Sequence, residues 1–164
     1  MFERAPSDYS FLQMFVHPPS GGDTLWASGV KMYNRMTKMQ KYLTNDNFLG
    51  AEKKGGSKLW TEPPGHPLNF GKNFIATHPV VRTNPITGLN SLYGVGLHVR
   101  KINDVTKAES DYLMEMFLDT VTQNHDLQVR FRWQPKSWAI WDNRLVQRMP
   151  GMTNYTCTMR LPGF

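Results

Sequence analysis

The sequence predicts a mainly β fold with covering helices, a jelly roll, on three observations. Short runs in which apolar and polar residues alternate recur at 10–16, 23–27, 127–133, 138–141 and 155–161. Clusters of glycine and proline separate them, and such clusters end a strand because proline lacks the ladder donor. Two stretches, 29–43 and 106–124, carry apolar residues at helical spacing instead. Many short strands between turns, with two helices to cover them, are the pattern of a jelly roll. The chain has 164 residues, 40% of them apolar, and no internal repeat, so a single domain over 1–164 with a real core is expected.

In chain order, the first strand, 10–16, is ended by His17-Pro18-Pro19-Ser20-Gly21-Gly22, and a short strand resumes at 23–27. Val30, Tyr33, Met36, Met39 or Gln40, and Leu43 then mark one amphipathic helix whose methionines read as core packing. Residues 44–71 are polar, with Lys53-Lys54-Gly55-Gly56 and Glu62-Pro63-Pro64-Gly65, and read as a long loop or insert. An extended run at 77–84 leads into Asn84-Pro85-Ile86-Thr87-Gly88, a hairpin turn before 91–95. Thr106-Lys107-Ala108-Glu109 is a capping box that opens a helix over 106–124, with Leu113, Met116, Phe117 and Val121 inward. Leu127, Val129, Phe131 and Trp133 alternate with Gln128, Arg130 and Arg132, the clearest strand in the sequence.

The last third carries the chemistry. An aromatic strand from Trp138 runs into an Asp142-Asn143-Arg144 turn, which places Arg144 and Arg148 near one end of a sheet. After Pro150-Gly151 the alternation resumes, with Tyr155, Cys157, Met159 and Leu161 on one face and Thr156, Thr158 and Arg160 on the other. Arginine offers a planar fork that matches a carboxylate, so Arg160 among hydroxyls suits a small dicarboxylic acid. An edge strand with a solvated arginine fits the same spacing. Thr24, a strand threonine after a turn, is ordinary on its own.

Composition narrows the classes further. One cysteine, Cys157, excludes an internal disulfide framework and a cysteine-based zinc site. The net charge of +6 is scattered, and no Lys/Arg-rich block or nucleic-acid motif stands out, so small acidic substrates are expected rather than nucleic acid. No apolar run approaches the length of a membrane span, and Met1-Phe2-Glu3-Arg4 lacks the apolar segment of a signal peptide, so a cytoplasmic protein is expected.

Ile140-Trp141-Asp142-Asn143-Arg144 resembles the signature that precedes the last iron ligand in the taurine dioxygenase family, the Fe(II)- and 2-oxoglutarate-dependent oxygenases. Four segments agree in order: Pro6-Ser7-Asp8-Tyr9, Gly21-Gly22-Asp23-Thr24-Leu25-Trp26-Ala27-Ser28, His78-Pro79-Val80-Val81-Arg82-Thr83-Asn84-Pro85, and Asn124-His125-Asp126-Leu127-Gln128-Val129-Arg130. The likeness runs from Phe2 to about Arg160. It implies a double-stranded β-helix that couples oxidative decarboxylation of 2-oxoglutarate to hydroxylation of a small acidic substrate, of the sulfonate or sulfate-ester class. It also implies that Thr24 hydrogen-bonds the distal carboxylate of 2-oxoglutarate and that Arg160 grips the same molecule.

The metal ligands depart from the family pattern. Two histidines and a carboxylate hold Fe(II) in such enzymes, leaving open positions for reactants. The family's His-x-Asp pair lies just upstream of the segment that begins here at Phe2, so the chain reads as a domain lacking its N-terminal part. His17, His66, His78, His98 and His125 are followed by Pro, Pro, Pro, Val and Asp, and none heads a His-x-Asp or His-x-Glu pair. His78 is expected in a structural strand, and His125-Asp126, read as strand, would point to opposite faces. The third family ligand falls on Arg148, whose guanidinium has no lone pair for a metal. A second arginine, which holds the sulfonate in some members, falls on Phe164. Three classes stay open: an oxygenase, a metal-free relative that binds an acidic metabolite through Thr24 and Arg160, and an inactive fragment.

Overall fold

The computed structural model describes residues 3–16, 21–44, 50–55, 69, 74–96 and 98–149. Ten short strands and three helices follow in the order β1 (Tyr9–Gln13), β2 (Thr24–Ser28), α1 (Gly29–Arg35), α2 (Lys38–Thr44), β3 (Gly50–Gly55), β4 (Phe74–Pro79), β5 (Val81–Thr83), β6 (Asn90–Leu92), β7 (Val99–Ile102), α3 (Lys107–Thr122), a 3-10 turn (His125–Leu127), β8 (Gln128–Phe131), β9 (Trp138–Asp142) and β10 (Val146–Met149). They pair antiparallel as β1-β9, β10-β2-β8, β4-β3-β7 and β5-β6. The mainly β jelly-roll class expected from the alternating runs is the one observed.

The β10-β2-β8 sheet separates two cores. Directly opposed residues of an antiparallel pair share a face, so Trp26, Arg148 and Val129 lie on one side with Thr24 and Phe131, while Ala27, Gln147 and Gln128 lie on the other. The Ala27 side belongs to the larger core, with Met32 of α1, Met36 just after it, Phe117 and Val121 of α3, and Val80, Leu92 and Ile102. The Thr24 side joins a smaller core of Leu12, Met14 and Trp133, edged by Trp26, Phe131, Ala139 and Trp141.

Local chemistry explains where the elements stop. The single helix expected over 29–43 is two helices, because each has its own capping group. Ser28 caps α1 by accepting from the Lys31 N–H at 3.2 Å, and the backbone is extended by Met36. Thr37 and Gln40 then form a reciprocal pair of bonds, 2.7 and 3.2 Å, that restarts the chain as α2. The break turns Met39 and Leu43 outward, at 67% and 44% exposure, so the methionine stripe is core only at Met32 and Met36. The Thr106-Glu109 capping box of α3 forms as read. The Asn84 turn does too, with the side-chain oxygen accepting from the Ile86 and Thr87 N–H groups and Gly88 at φ 69°.

Two other expectations are corrected. Part of the loop read over 44–71 is β3, the middle strand of its sheet, with Ala51 and Lys53 buried at 0% and 1%. Its charge disguised the alternation. The strand read over 127–133 is β8 alone: Leu127 closes the 3-10 turn and packs in the larger core, Val129 is exposed, and Trp133 lies beyond the strand in the smaller core. The run from 155 to 161 lies outside the described residues.

Close packing at the start of α1 supplies one test. A Cβ on Gly29 would meet Ser91 Oγ at 2.1 Å and the Leu145 and Leu92 carbonyls at 3.1 and 3.2 Å. Gly29→Ala is therefore expected to cost about 2 kcal/mol by overpacking, read as a lower urea midpoint. Ser91→Ala in the same chain should recover part of that loss.

Candidate functional site

The Asp142-Asn143-Arg144 turn between β9 and β10 is a clasp for the N-terminal strand. Arg144 is 4% exposed and donates from Nε to Asp142 Oδ1 at 2.9 Å and from Nη2 to Asp142 Oδ2 at 2.8 Å, the two-pronged contact that its planar fork favours. It also reaches Tyr9 Oη at 3.2 Å and Asp8 at 3.2 Å. Asn143 donates from its backbone N–H to the Asp8 carbonyl at 2.8 Å and from its side chain to the Ser7 carbonyl and Ser10 Oγ, at 3.0 and 2.7 Å. Hydrogen bonds from Arg144 hold the Asp142 carboxyl below the usual carboxylate range, and the same bonds raise Arg144 further. Among the described residues, Asp142, Asn143 and Arg144 are engaged with one another and with the strand that begins at Tyr9.

Thr24 sits at the start of β2, 3% exposed, and its Oγ1 accepts from Trp133 Nε1 at 3.0 Å. Because that bond uses an oxygen lone pair, the threonine proton remains available for an acceptor. Two residues on, Trp26 shares the face, with its ring 6.0 Å from Phe131 and 5.4 Å from Trp141. The indole Nε1 of Trp26 is buried with no hydrogen-bond partner among the described residues. An unmade donor two residues from an available hydroxyl, on the same face of β2, suits an oxyanion. Across the ladder from Trp26, Arg148 of β10 projects from the same face and is exposed. The sequence thus brings Thr24 and Arg148 to one face, while Arg160, Cys157 and Phe164 lie outside the described residues.

The histidines are dispersed. His78 lies in β4, and its Nε2 is 2.9 Å from the Glu3 carbonyl. Burial, with Lys53 and Arg82 nearby, lowers its pKa. His98 precedes β7, and His17 and His66 lie outside the described residues. His125-Asp126 is in the 3-10 turn rather than a strand, closed by the Leu127 N–H donating to the Asn124 carbonyl at 3.0 Å, and Arg35 of α1 pairs with the Asp126 carboxylate at 2.5 Å. Among the described residues no three His, Cys, Asp or Glu side chains converge to hold a metal. A cavity of about 380 Å³ opens on α3, lined by Tyr112, Glu115, Met116, Asp119 and Thr120 among others, and no histidine lines it.

Sequence reasoning missed the Trp133 to Thr24 bond and the buried Lys53. The first had a trace in the sequence, since an indole needs a partner when buried, but not its address.

The family model for taurine catabolism dioxygenases, the TauD, TfdA family, matches residues 1–147. The chain belongs to the TauD/TfdA family. An alpha-ketoglutarate-dependent dioxygenase of Aspergillus oryzae is 43% identical over 162 residues, covering 94% of this chain and 48% of its own length. An alpha-ketoglutarate-dependent sulfonate dioxygenase of Saccharomyces cerevisiae is 32% identical, with 89% and 35% covered. Among solved structures, a taurine dioxygenase from Burkholderia xenovorans superposes with a TM-score of 0.75 at 27% identity, covering 92% of this chain and 48% of that one. This TauD/TfdA chain therefore spans about half the length of the curated relatives it matches. Among its described residues, no helix is long and apolar enough to cross a membrane.

Proposed function

We propose that this chain carries the 2-oxoglutarate-holding part of a dioxygenase domain for small acidic substrates, and that its own residues do not hold Fe(II). Arg148 carries the reading. It stands on the Thr24 face where the family motif counts to a histidine, and a permanently charged guanidinium repels a metal cation and offers it no lone pair. The donor set does not fit the metal, so no catalytic residue is assigned.

The fit to 2-oxoglutarate is better. Thr24 donates its hydroxyl proton to one carboxylate while Trp133 fixes the oxygen, and Trp26 Nε1 offers a second donor on the same face. Arg160 pairs with a carboxylate through its fork. Arg148 on this face also favours the metal-free alternative, in which an acidic metabolite binds where chemistry takes place in relatives. The sulfonate and sulfate-ester dioxygenases among those relatives supply the substrate class.

Calorimetry separates these readings. 2-Oxoglutarate is expected to bind with an affinity unchanged by a chelator. Thr24→Val should weaken it roughly tenfold, and Arg160→Ala more, as loss of a bond to a charged group requires. An anaerobic Fe(II) titration should show no stoichiometric binding. Tight iron binding, or succinate formed in step with substrate loss, would defeat the metal-free part, and equal 2-oxoglutarate affinity in Arg160→Ala would defeat the carboxylate role.

A further inference from the structure

Away from the Thr24 face, β3 buries a lysine in an unusual setting. Lys53 is central in the β4-β3-β7 sheet, 1% exposed, and its Nζ donates to the Tyr93 carbonyl at 2.7 Å while resting 3.7 Å over the centroid of the Tyr93 ring. Arg82 of β5 places a second cation over that ring, with Cζ 5.5 Å from the centroid. His78 of β4 meets it edge-on at 5.7 Å. A buried ammonium normally takes a carboxylate, because a carbonyl and a ring face return less than the lost hydration costs. Here the named partners of Lys53 are that carbonyl and that ring, and the charge acting on it is another cation, Arg82.

We propose that Lys53, Arg82 and His78, gathered around Tyr93, form a binding site for a small oxyanion group, the carboxylate, sulfonate or sulfate end of an acidic metabolite. Tyr93 serves as the floor: it is wholly buried, and its ring orients both cations. The anion enters beside Arg82, the half-buried member, completes the donor set of the Lys53 ammonium and offsets two like charges. The cluster is built on β3, β4 and β5 with Tyr93, whereas Thr24 lies on β2 and bonds Trp133, and the inference stands whether or not 2-oxoglutarate binds at Thr24.

Protonation adds a signature. Burial pushes Lys53 down to about 7, so an anion that needs the ammonium binds more tightly as pH falls from 8.5 to 6.5. The groups facing it are Arg82, His78, Tyr93, and, around His98 and Tyr93, Glu3 and Arg100. Burial, with these cations, holds both histidines below their ordinary value, and burial raises Tyr93, so all three shifts favour the neutral form across that window.

The probes are inorganic sulfate, methanesulfonate and acetate, each titrated calorimetrically into the whole chain at pH 6.5 and 8.5. At least one is expected to bind saturably, roughly tenfold more tightly at the lower pH, and the order among the three identifies which oxyanion the site prefers. Lys53→Met should abolish the pH dependence, and Arg82→Gln should weaken binding at both pH values. Arg82 is partly exposed, so its variant keeps the test valid should Lys53→Met fail to fold. Absence of saturable binding by all three, or affinities equal in wild type and Arg82→Gln, would overturn the proposal.

Discussion

Replacing Trp133 by alanine is expected to lower stability by about 4 kcal/mol, among the largest losses for a single change in this chain. The indole is 2% exposed, packs edge-on against Phe131 at 4.9 Å and at a tilt against Trp26 at 6.3 Å, and fills a core that otherwise rests on Leu12 and Met14. So small a core has few side chains able to collapse into the void, which places the cost in the upper range for an aromatic deletion. Trp133→Phe keeps most of the volume and removes the donor to Thr24, and a loss of about 1 to 2 kcal/mol is expected from it. Urea denaturation read at constant slope measures both. A cost for Trp133→Ala below about 1 kcal/mol would show that the smaller core is not packed in this way.

Asp142→Ala is expected to cost about 3 kcal/mol, because it strands a guanidinium that is 4% exposed. Asp8 remains 3.2 Å from Arg144 and keeps the loss from being larger. The effect has a defined pH range. Arg144 holds the folded-state pKa of Asp142 below its unfolded value, so the carboxylate contributes stability above the unfolded value, and that contribution is lost as pH falls through the lower folded one. The wild type should therefore lose stability in acid more steeply than Asp142→Ala, and the gap between their thermal midpoints should narrow below about pH 4. A gap that stays constant down to pH 2 would refute the ionic account of the clasp.

Much of this architecture was legible because the sequence states it locally. The Thr106 capping box, the Asn84 turn, and the strands around Thr24 and Trp138 depend on residues within four positions of one another, and each formed as read. Legibility failed where a distant partner decides. Lys53 reads as part of a polar loop until Tyr93, 40 positions away, supplies a carbonyl and a ring. Asp126 likewise has its ion-pair partner in Arg35, 91 positions away, which no local pattern names. The helix break at Met36 was locally visible in Thr37 and Gln40, but the apolar period running through it concealed the cap. At the site, alternation alone puts Thr24, Trp26 and Arg148 on one face once the register is known, and register is a long-range property.

The anchoring of the first strand sets the order of assembly. β1 pairs along its whole length with β9, and Asn143 reaches back to Ser7 across 136 positions. Within this stretch, the β1-β9 pairing cannot form until nearly all of the described residues have left the ribosome. Such distant closure slows folding, since the entropy of a long loop is spent before any contact repays it. A nascent form of this chain stopped before Trp138 should therefore leave the β9-facing edge of residues 9–13 unpaired, and release through Met149 should protect it in a single late step.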